Sequence, residues 1–299
     1  MKDAPLEYFD RPTGTIRTEQ IYGEGWLRWT YGNPLGRFFL WTVARRVWFS
    51  RWYGHRMDKS CSRSKIQPFI ERYGVDTTEF LETPGSFGSF NDFFIRRLKP
   101  GARPIAKGED TVVFPADGRH LGFAKASAVE GVFVKGQRFD LVKLLGDIKL
   151  AGQFADGAAV FSRLCPVDYH RFHFPVAGVP GEARLINGPL YSVNPLALRD
   201  RLAVLWENKR FITEIKTEQL GKVLVLEIGA TNVGSVNHTF VPTRPVEKGE
   251  EKGYFAFGGS ATLTLFEPGR VELAADLLEQ SAQQRELYAK VGDQMGSLK

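Results

Sequence analysis

Ser260 stands directly after two glycines, Gly258 and Gly259, and directly before the strand-like run Ala261–Phe266. Glycines give the backbone access to unusual dihedral angles and let other groups approach it closely. A serine hydroxyl becomes a useful nucleophile only when a base removes its proton. The motif is therefore compatible with a nucleophile at Ser260 and also with a tight turn.

Two histidines and an aspartate are the other candidates for chemistry. His170 and His173 lie three residues apart, and imidazole can act as a base near neutral pH. Such a pair is also common as a structural feature, and no third ligand stands at a spacing that predicts a metal site. Asp117 precedes a glycine, as in many ordinary turns. His120 and His238 are interpreted as ordinary hydrogen-bonded histidines.

The bulk composition is that of a folded protein, with 43% hydrophobic and 25% charged residues. Cys61 and Cys165 are too few and too far apart to indicate a zinc site or a disulfide framework, which favours a reducing compartment. The best apolar run, Phe38–Ala44, is far shorter than the roughly 20 residues that span a bilayer. The N-terminus lacks the apolar core of a signal peptide. We therefore expect a protein that neither crosses a membrane nor is exported by that route.

The positive charge is concentrated near the N-terminus. The net charge is +6, but the window Gly25–Ile66 contains nine Lys or Arg against one acid, so it carries +8 and the remaining residues carry −2. The same window holds five of the six tryptophans: Trp26, Trp29, Trp41, Trp48 and Trp52. The apolar residues between them predict a helix over Pro34–Tyr53 with a broad apolar face flanked by arginines.

This composition favours an amphipathic arm that lies at a membrane surface. Tryptophan prefers the headgroup region, and each basic residue near an anionic leaflet contributes about 1 kcal/mol. The alternative is that the aromatic residues pack on the main domain and the arginines are simply solvated. Single-stranded nucleic acid is a weaker third interpretation, and because no nucleic-acid motif accompanies the arm we expect no such partner.

The predicted secondary structure that must position the candidate residues changes along the chain from helices to strands. Apolar spacing predicts short helices over 65–73 and 76–82, a further element over 90–98 and a helix over 271–286. After about residue 110 there are β-rich runs between Gly and Pro, at 111–114, 158–163, 181–186, 209–216, 222–228, 254–257 and 261–266, with strand and turn again over 287–293. We predict an α+β fold, with a helical, amphipathic arm and lead-in over residues 1–100 and a β-rich catalytic body over 101–299.

Taken together, five segments resemble the phosphatidylserine decarboxylase family, in the family's order and approximate spacing. They are Phe90–Pro100, Pro115–Gly118, Leu164–Pro175, Gly229–Val236 and Phe257–Ser260. None would identify the family alone, but a chance match at all five is very improbable. The resemblance extends from about Phe90 to Gly296.

The resemblance implies self-cleavage between Gly259 and Ser260. Its catalytic triad would be Asp117, His173 and Ser260, with His173 as the base and Asp117 orienting its ring. The products would be a β chain of residues 1–259 and an α chain of residues 260–299, which remain paired. The α chain would begin with a pyruvoyl group made from Ser260, the covalent cofactor of the family.

The resemblance also implies the reaction and its setting. The pyruvoyl group would form a Schiff base with phosphatidylserine and accept the electrons released with carbon dioxide, giving phosphatidylethanolamine. His170 is the implied proton donor. The implied partners are phosphatidylserine in an anionic membrane surface and the protein's own two chains, with a homodimer as a further possible partner. The implied location is peripheral, on the cytoplasmic face of the cell membrane.

Ala261 departs from the family pattern, which usually has Thr directly after the cleavage serine. Cleavage is still expected, so the open question is its rate. Two alternatives remain: a pyruvoyl-dependent decarboxylase of a free amino acid, which the basic arm disfavours, and an unprocessed membrane-binding homologue, which only Ala261 favours. A conventional serine hydrolase is disfavoured because no G-x-S-x-G motif surrounds Ser260.

Overall fold

The computed structural model describes residues 6–128, 139–200, 202–230, 236–257 and 260–299. Its strands are β1 Glu7–Asp10, β2 Thr15–Thr18, β3 Thr111–Val113, β4 Gly118–Phe123, β5 Ala159–Leu164, β6 Arg171–His173, β7 Val179–Pro180, β8 Arg184–Ile186, β9 Arg210–Lys216, β10 Lys222–Gly229, β11 Val236–His238, β12 Glu251–Phe255, β13 Ser260–Phe266, β14 Val271–Leu273, β15 Glu286–Ala289 and β16 Gln294–Leu298.

The α-helices are α1 Glu24–Gly32, α2 Pro34–Phe39, α3 Val47–Asp58, α4 Ile66–Tyr73, α5 Phe90–Phe94, α6 Leu141–Leu145, α7 Ile148–Phe154, α8 Pro195–Asp200, α9 Val204–Glu207 and α10 Ala275–Ala282. A π-helical turn covers Leu40–Ala44, and 3-10 turns cover Ser60–Lys65, Pro84–Ser86 and Ala126–Ala128. Among the described residues, no helix combines the length and the apolar character needed to cross a bilayer.

A large sheet organises the body, in the order β2-β1-β15-β4-β5-β13-β10-β9-β7, with β8 also pairing with β9. Its central strand β13 begins at Ser260 and pairs antiparallel with β5 and β10. Two smaller sheets, β11-β12-β6 and β14-β16-β3, complete the fold. The α+β prediction is confirmed.

Side chains of the central strands pack into two apolar cores, one on each face of the sheet, because successive residues of a strand face opposite sides. On one face, Leu263 and Leu265 of β13 pack in the cluster that contains helix residues Leu144 and Phe154. On the other, Phe266 packs with β10 residues and with the sheet that contains β3. Every residue of β13 is buried, so the strand that carries Ser260 is fixed from both sides.

The first and last parts of the chain meet in the large sheet. Strand β1 pairs antiparallel with β2 and parallel with β15, near the C-terminus. A third apolar cluster joins α4 and α5 of the lead-in to Phe257, three residues before Ser260. The lead-in thereby packs against Phe257, just before the predicted cut. The domain division at residue 100 stays a prediction.

The single helix predicted over Pro34–Tyr53 is wrong, because the chain breaks it near Arg46. That residue is extended, with φ −81° and ψ 139°, and it separates the π-helical turn from α3. The break has a tertiary cause. The backbone carbonyl of Arg45 accepts from the N–H of Leu190, and the guanidinium of Arg45 donates to the hydroxyl of Tyr191 at 2.7 Å. The main domain anchors the arm at this point.

Two other predicted helices also differ from the structure. The helix over 76–82 is wrong, because Phe80 forms a β-bridge with Leu98 and Leu81 donates its N–H to Arg97. In the range 271–286, strand β14 occupies the first residues and only Ala275–Ala282 is α-helical. In both places, backbone pairing with a distant segment of the chain outweighs the helical spacing.

Candidate active site

Ser260 opens β13 between Leu164 of β5 and Gly229 of β10. Its side chain is fully buried, and its hydroxyl has no hydrogen-bond partner among the described residues. Buried hydroxyls are normally paired, and those of Thr262 and Thr264 on the same strand also lack a partner among the described residues. Gly229, the register partner of Ser260 on β10, brings no side chain against it.

The predicted scissile residue Gly259 and its neighbour Gly258 lie outside the described residues, as does the stretch 231–235 of the fourth family segment. The described chain approaches the cleavage position along β12 and through Phe257, and resumes at Ser260. The segment 256–259 therefore connects the small sheet with the large one, and the predicted cut falls on this connection.

His173 ends β6, opposite Glu251 of β12. Burial lowers the pKa of its imidazole to about 4, although the carboxylates of Glu251 and Asp117 act in the opposite direction. Its Nδ1 is buried and has no partner among the described residues. At neutral pH the ring is therefore uncharged and able to accept a proton, as a base must be.

Asp117 lies just before β4 and is 1% exposed. Its carboxylate accepts from the Arg103 guanidinium, at 2.6 Å for the shortest contact, and from the N–H of Val291 at 2.9 Å. The backbone N–H of His173 donates to the backbone carbonyl of Pro115, two residues before Asp117. The structure thus places Asp117 in the electrostatic surroundings of His173, but among the described residues no hydrogen bond joins their side chains.

Sequence analysis missed Arg103, which also donates to Glu79 at 2.8 Å. The ion pair between Arg103 and Asp117 occupies the carboxylate that the predicted triad assigns to His173. Nothing in the spacing of Arg103 and Asp117 along the chain signals this contact, since neither residue belongs to a repeating pattern that would bring them together.

His170 lies directly before β6, and its ring packs on Phe94 with the ring centroids 3.8 Å apart. Its Nδ1 donates to the carbonyl of Asp168 at 2.9 Å, which fixes the tautomer because a carbonyl can only accept. Burial lowers the pKa of His170 to about 3, and its Nε2 has no partner among the described residues. The neutral ring must therefore take up a proton before it can donate one from Nε2.

A buried ionic cluster holds the turn that carries His170. The carboxylate of Asp168 accepts from Arg119 at 2.6 Å and from the N–H of Cys165, also at 2.6 Å. Glu19, in the segment after β2, accepts from Arg163 at 2.6 Å. Although burial opposes it, Arg163 and Arg119 lower the pKa of Glu19 to about 2. The cluster fixes the turn to the large sheet and to the N-terminal segment.

A cavity of about 860 Å³ opens between the helical arm and this turn. Its wall includes Phe257 on the cleavage segment and Leu164–Val167 before His170. Most of the remaining wall comes from the arm and lead-in, including the apolar residues Trp26, Leu27, Leu40, Phe49 and Trp52. The cavity therefore extends from the tryptophan-rich arm to the residues beside the candidate site.

The orphaned hydroxyl of Ser260, next to Gly229, fits the role of a pyruvoyl precursor, because nothing described restrains it by hydrogen bonding. The described residues contain no group of three His, Cys, Asp or Glu side chains that could hold a metal ion. His120 and His238 are hydrogen-bonded as expected, His120 to Ser162 at 2.8 Å and His238 to Glu227 at 3.0 Å.

Comparison with known proteins places this chain in a family. The family model described as phosphatidylserine decarboxylase matches residues 90–297. The chain is 44% identical to the phosphatidylserine decarboxylase proenzyme of Chlamydia caviae over 291 residues, covering 97% of each chain. It is 41% identical to the proenzyme of Fusobacterium nucleatum, covering 98% of each chain, and 45% identical to that of Chlamydia muridarum, covering 99% of this chain and 98% of the relative. The chain belongs to the phosphatidylserine decarboxylase family.

Proposed function

We propose that this protein is a proenzyme that cleaves itself before Ser260 and then decarboxylates phosphatidylserine to phosphatidylethanolamine. The observation that carries the proposal is the buried position of Ser260 at the start of β13, where the resemblance to the family implies the cut and where the hydroxyl has no partner among the described residues. Family membership supports the reaction, and the neutral imidazoles of His170 and His173 support the proposed proton transfers.

In the proposed self-cleavage, His173 removes the proton of the Ser260 hydroxyl. The oxygen attacks the carbonyl carbon of Gly259, the C–N bond breaks, and the nitrogen of Ser260 takes the proton, so that an ester replaces the amide. Removal of the Ser260 α-proton then expels the Gly259 carboxylate. Water completes the conversion, ammonia leaves, and residue 260 becomes a pyruvoyl group.

Strand pairing supports retention of the two products. The α chain of residues 260–299 begins with β13, which stays hydrogen-bonded to β5 and β10 of the β chain. Strand β15 of the same fragment pairs with β1 and β4. Cutting one peptide bond leaves these ladders intact.

The pyruvoyl group supplies a carbonyl that binds the substrate amine and accepts the electrons released with carbon dioxide. His170 is proposed to transfer a proton to the product carbon from Nε2. Since the ring is neutral at pH 7, Nε2 must first receive that proton. The proton on Nδ1 stays in its hydrogen bond to the backbone carbonyl of Asp168. Packing on Phe94 restricts the ring to one orientation.

The arm supports a lipid substrate. Its tryptophans remain 39–59% exposed, together with Leu35 at 73% and Phe38 at 67%. An exposed apolar patch of this kind within a window of charge +8 is suited to an anionic bilayer. We therefore propose peripheral binding to the cytoplasmic face of the cell membrane, with the cavity beneath the arm admitting the lipid.

A direct assay separates this function from decarboxylation of a free amino acid. Purified protein is incubated with phosphatidylserine vesicles or with free serine, and carbon dioxide and phosphatidylethanolamine are measured. Release from vesicles alone supports the proposal. Release from free serine at an equal or greater rate contradicts it and favours the soluble-substrate alternative.

A further inference from the structure

Glu227 and Lys252 form an ion pair in which both side chains are 0% exposed, and the assigned reaction does not use it. Lys252 Nζ donates to Glu227 Oε1 at 2.7 Å, and His238 Nε2 lies 3.0 Å from Glu227 Oε2. Three phenylalanine rings surround the ammonium group with centroids 5.0–6.0 Å from Nζ: Phe172, Phe174 and Phe240. The pair is thus enclosed by apolar groups.

The position of Glu227 relates it directly to the nucleophile. On β10, Gly229 is the register partner of Ser260, and Glu227 is the partner of Thr262. Partners in a sheet share a face, so Glu227 projects on the same side as Ser260, about 7 Å along the strand.

Lys252 sits on the strand that leads to the cut. The register of β12 against β6 shifts between Glu251 and Gly253, so Lys252 occupies a β-bulge. A bulge redirects one side chain, and such irregularities are frequent beside active sites. Here it lets Glu251 stay opposite His173 while Lys252 points into the interior. The ion pair therefore joins the strand that flanks Ser260 to the strand that ends at the cleavage segment.

Stability alone does not account for such a pair. Removing two charges from water is costly, and replacing a buried ion pair by apolar side chains of similar size is often neutral or stabilising. A directional ion pair does fix the position of one strand relative to another, which apolar packing does less strictly. Nucleophilic attack is sensitive to displacements of about 1 Å.

We propose that Glu227 and Lys252 are positioning residues for self-cleavage, which fix the end of β12, and with it Phe257, relative to Ser260. The inference rests on the proposed function. It predicts that cleavage becomes slow when the pair is made apolar, even if the fold is as stable as before.

The test compares the parent chain with Glu227→Leu/Lys252→Met, synthesised in a cell-free system and sampled over time on denaturing gels. Thermal melting is measured on each. The matched control is Arg11→Met/Asp276→Leu, which removes a partly buried ion pair between the segment after β1 and α10. We expect the Glu227/Lys252 double variant to melt within a few degrees of the parent but to cleave at least tenfold more slowly, and the control to cleave at the parental rate.

Parental cleavage by the Glu227/Lys252 double variant would overturn the inference. Loss of its fold would overturn it too, since the pair would then act on stability. Equal slowing in the control would show that the loss of any ion pair slows cleavage, and it would also overturn the inference. A parent chain that never divides contradicts the proposed function itself, which is a separate outcome.

Discussion

At the residue scale, the candidate site depends on neutral imidazoles in a buried setting. The sequence identified Ser260, His170 and His173, and each of them carries a buried polar atom without a partner among the described residues. It did not identify Arg103 or Lys252, whose contacts with Asp117 and Glu227 join separate elements. Motifs report residues that lie close along the chain, whereas these ionic contacts depend on how distant elements pack.

The pH dependence of self-cleavage tests the role of His173. Because burial places its folded-state pKa near 4, below the ordinary value, the proton-accepting form persists until the pH falls to about that value. We expect a constant cleavage rate between pH 8 and 6, and a loss of about tenfold per unit below pH 4. Time courses on gels measure the rate, with circular dichroism as the control for folding. A decline centred near pH 6.5 in folded protein would contradict the assignment.

At the element scale, the alternation of side chains along β13 determines which face of the sheet Ala261 occupies. Ala261 is fully buried in the apolar cluster with Leu263 and Leu265, on the face opposite to Ser260. The alternation of Ser260, Thr262 and Thr264 with apolar residues marks the two faces in the sequence, but the burial of both faces could not be predicted from it. The broken helix near Arg46 illustrates the same limit, since its cause is a contact with residues 190 and 191.

Restoring the family's usual residue tests this interpretation. We expect Ala261→Thr to cleave within about twofold of the parental rate, because the added hydroxyl points away from Ser260. Burying that hydroxyl without a partner costs about 1–3 kcal/mol, which thermal melting should detect. Cleavage that is tenfold faster in the variant would show instead that residue 261 supplies a group to the reaction.

At the scale of the whole molecule, the arm and the body have distinct proposed roles. The sequence predicted a basic, tryptophan-rich surface, and the structure leaves those tryptophans at least 39% exposed. Their exposure argues against the alternative in which they pack wholly on the main domain. The cavity between arm and body was not predictable, since it forms only when residues from 19 to 257 come together.

Vesicle binding tests the role of the arm. The variant Phe38→Ser/Trp48→Ser removes two aromatic groups that are 67% and 59% exposed. We expect about tenfold weaker sedimentation with phosphatidylserine vesicles, because binding scales with the apolar area inserted. Self-cleavage should remain at the parental rate. Ile148→Ser/Val241→Ser, outside the arm, is the matched control, and equal weakening in it would contradict a specific role for the arm.

Intact mass of the freshly purified parent beside Ser260→Ala is the most direct measurement of the central claim. The account predicts two species for the parent, residues 1–259 and residues 260–299, with the second lighter by one ammonia than a chain starting with serine. It predicts one undivided chain for Ser260→Ala. An undivided parent, or a second fragment that begins with unmodified serine, would contradict the claim that Ser260 generates a pyruvoyl group.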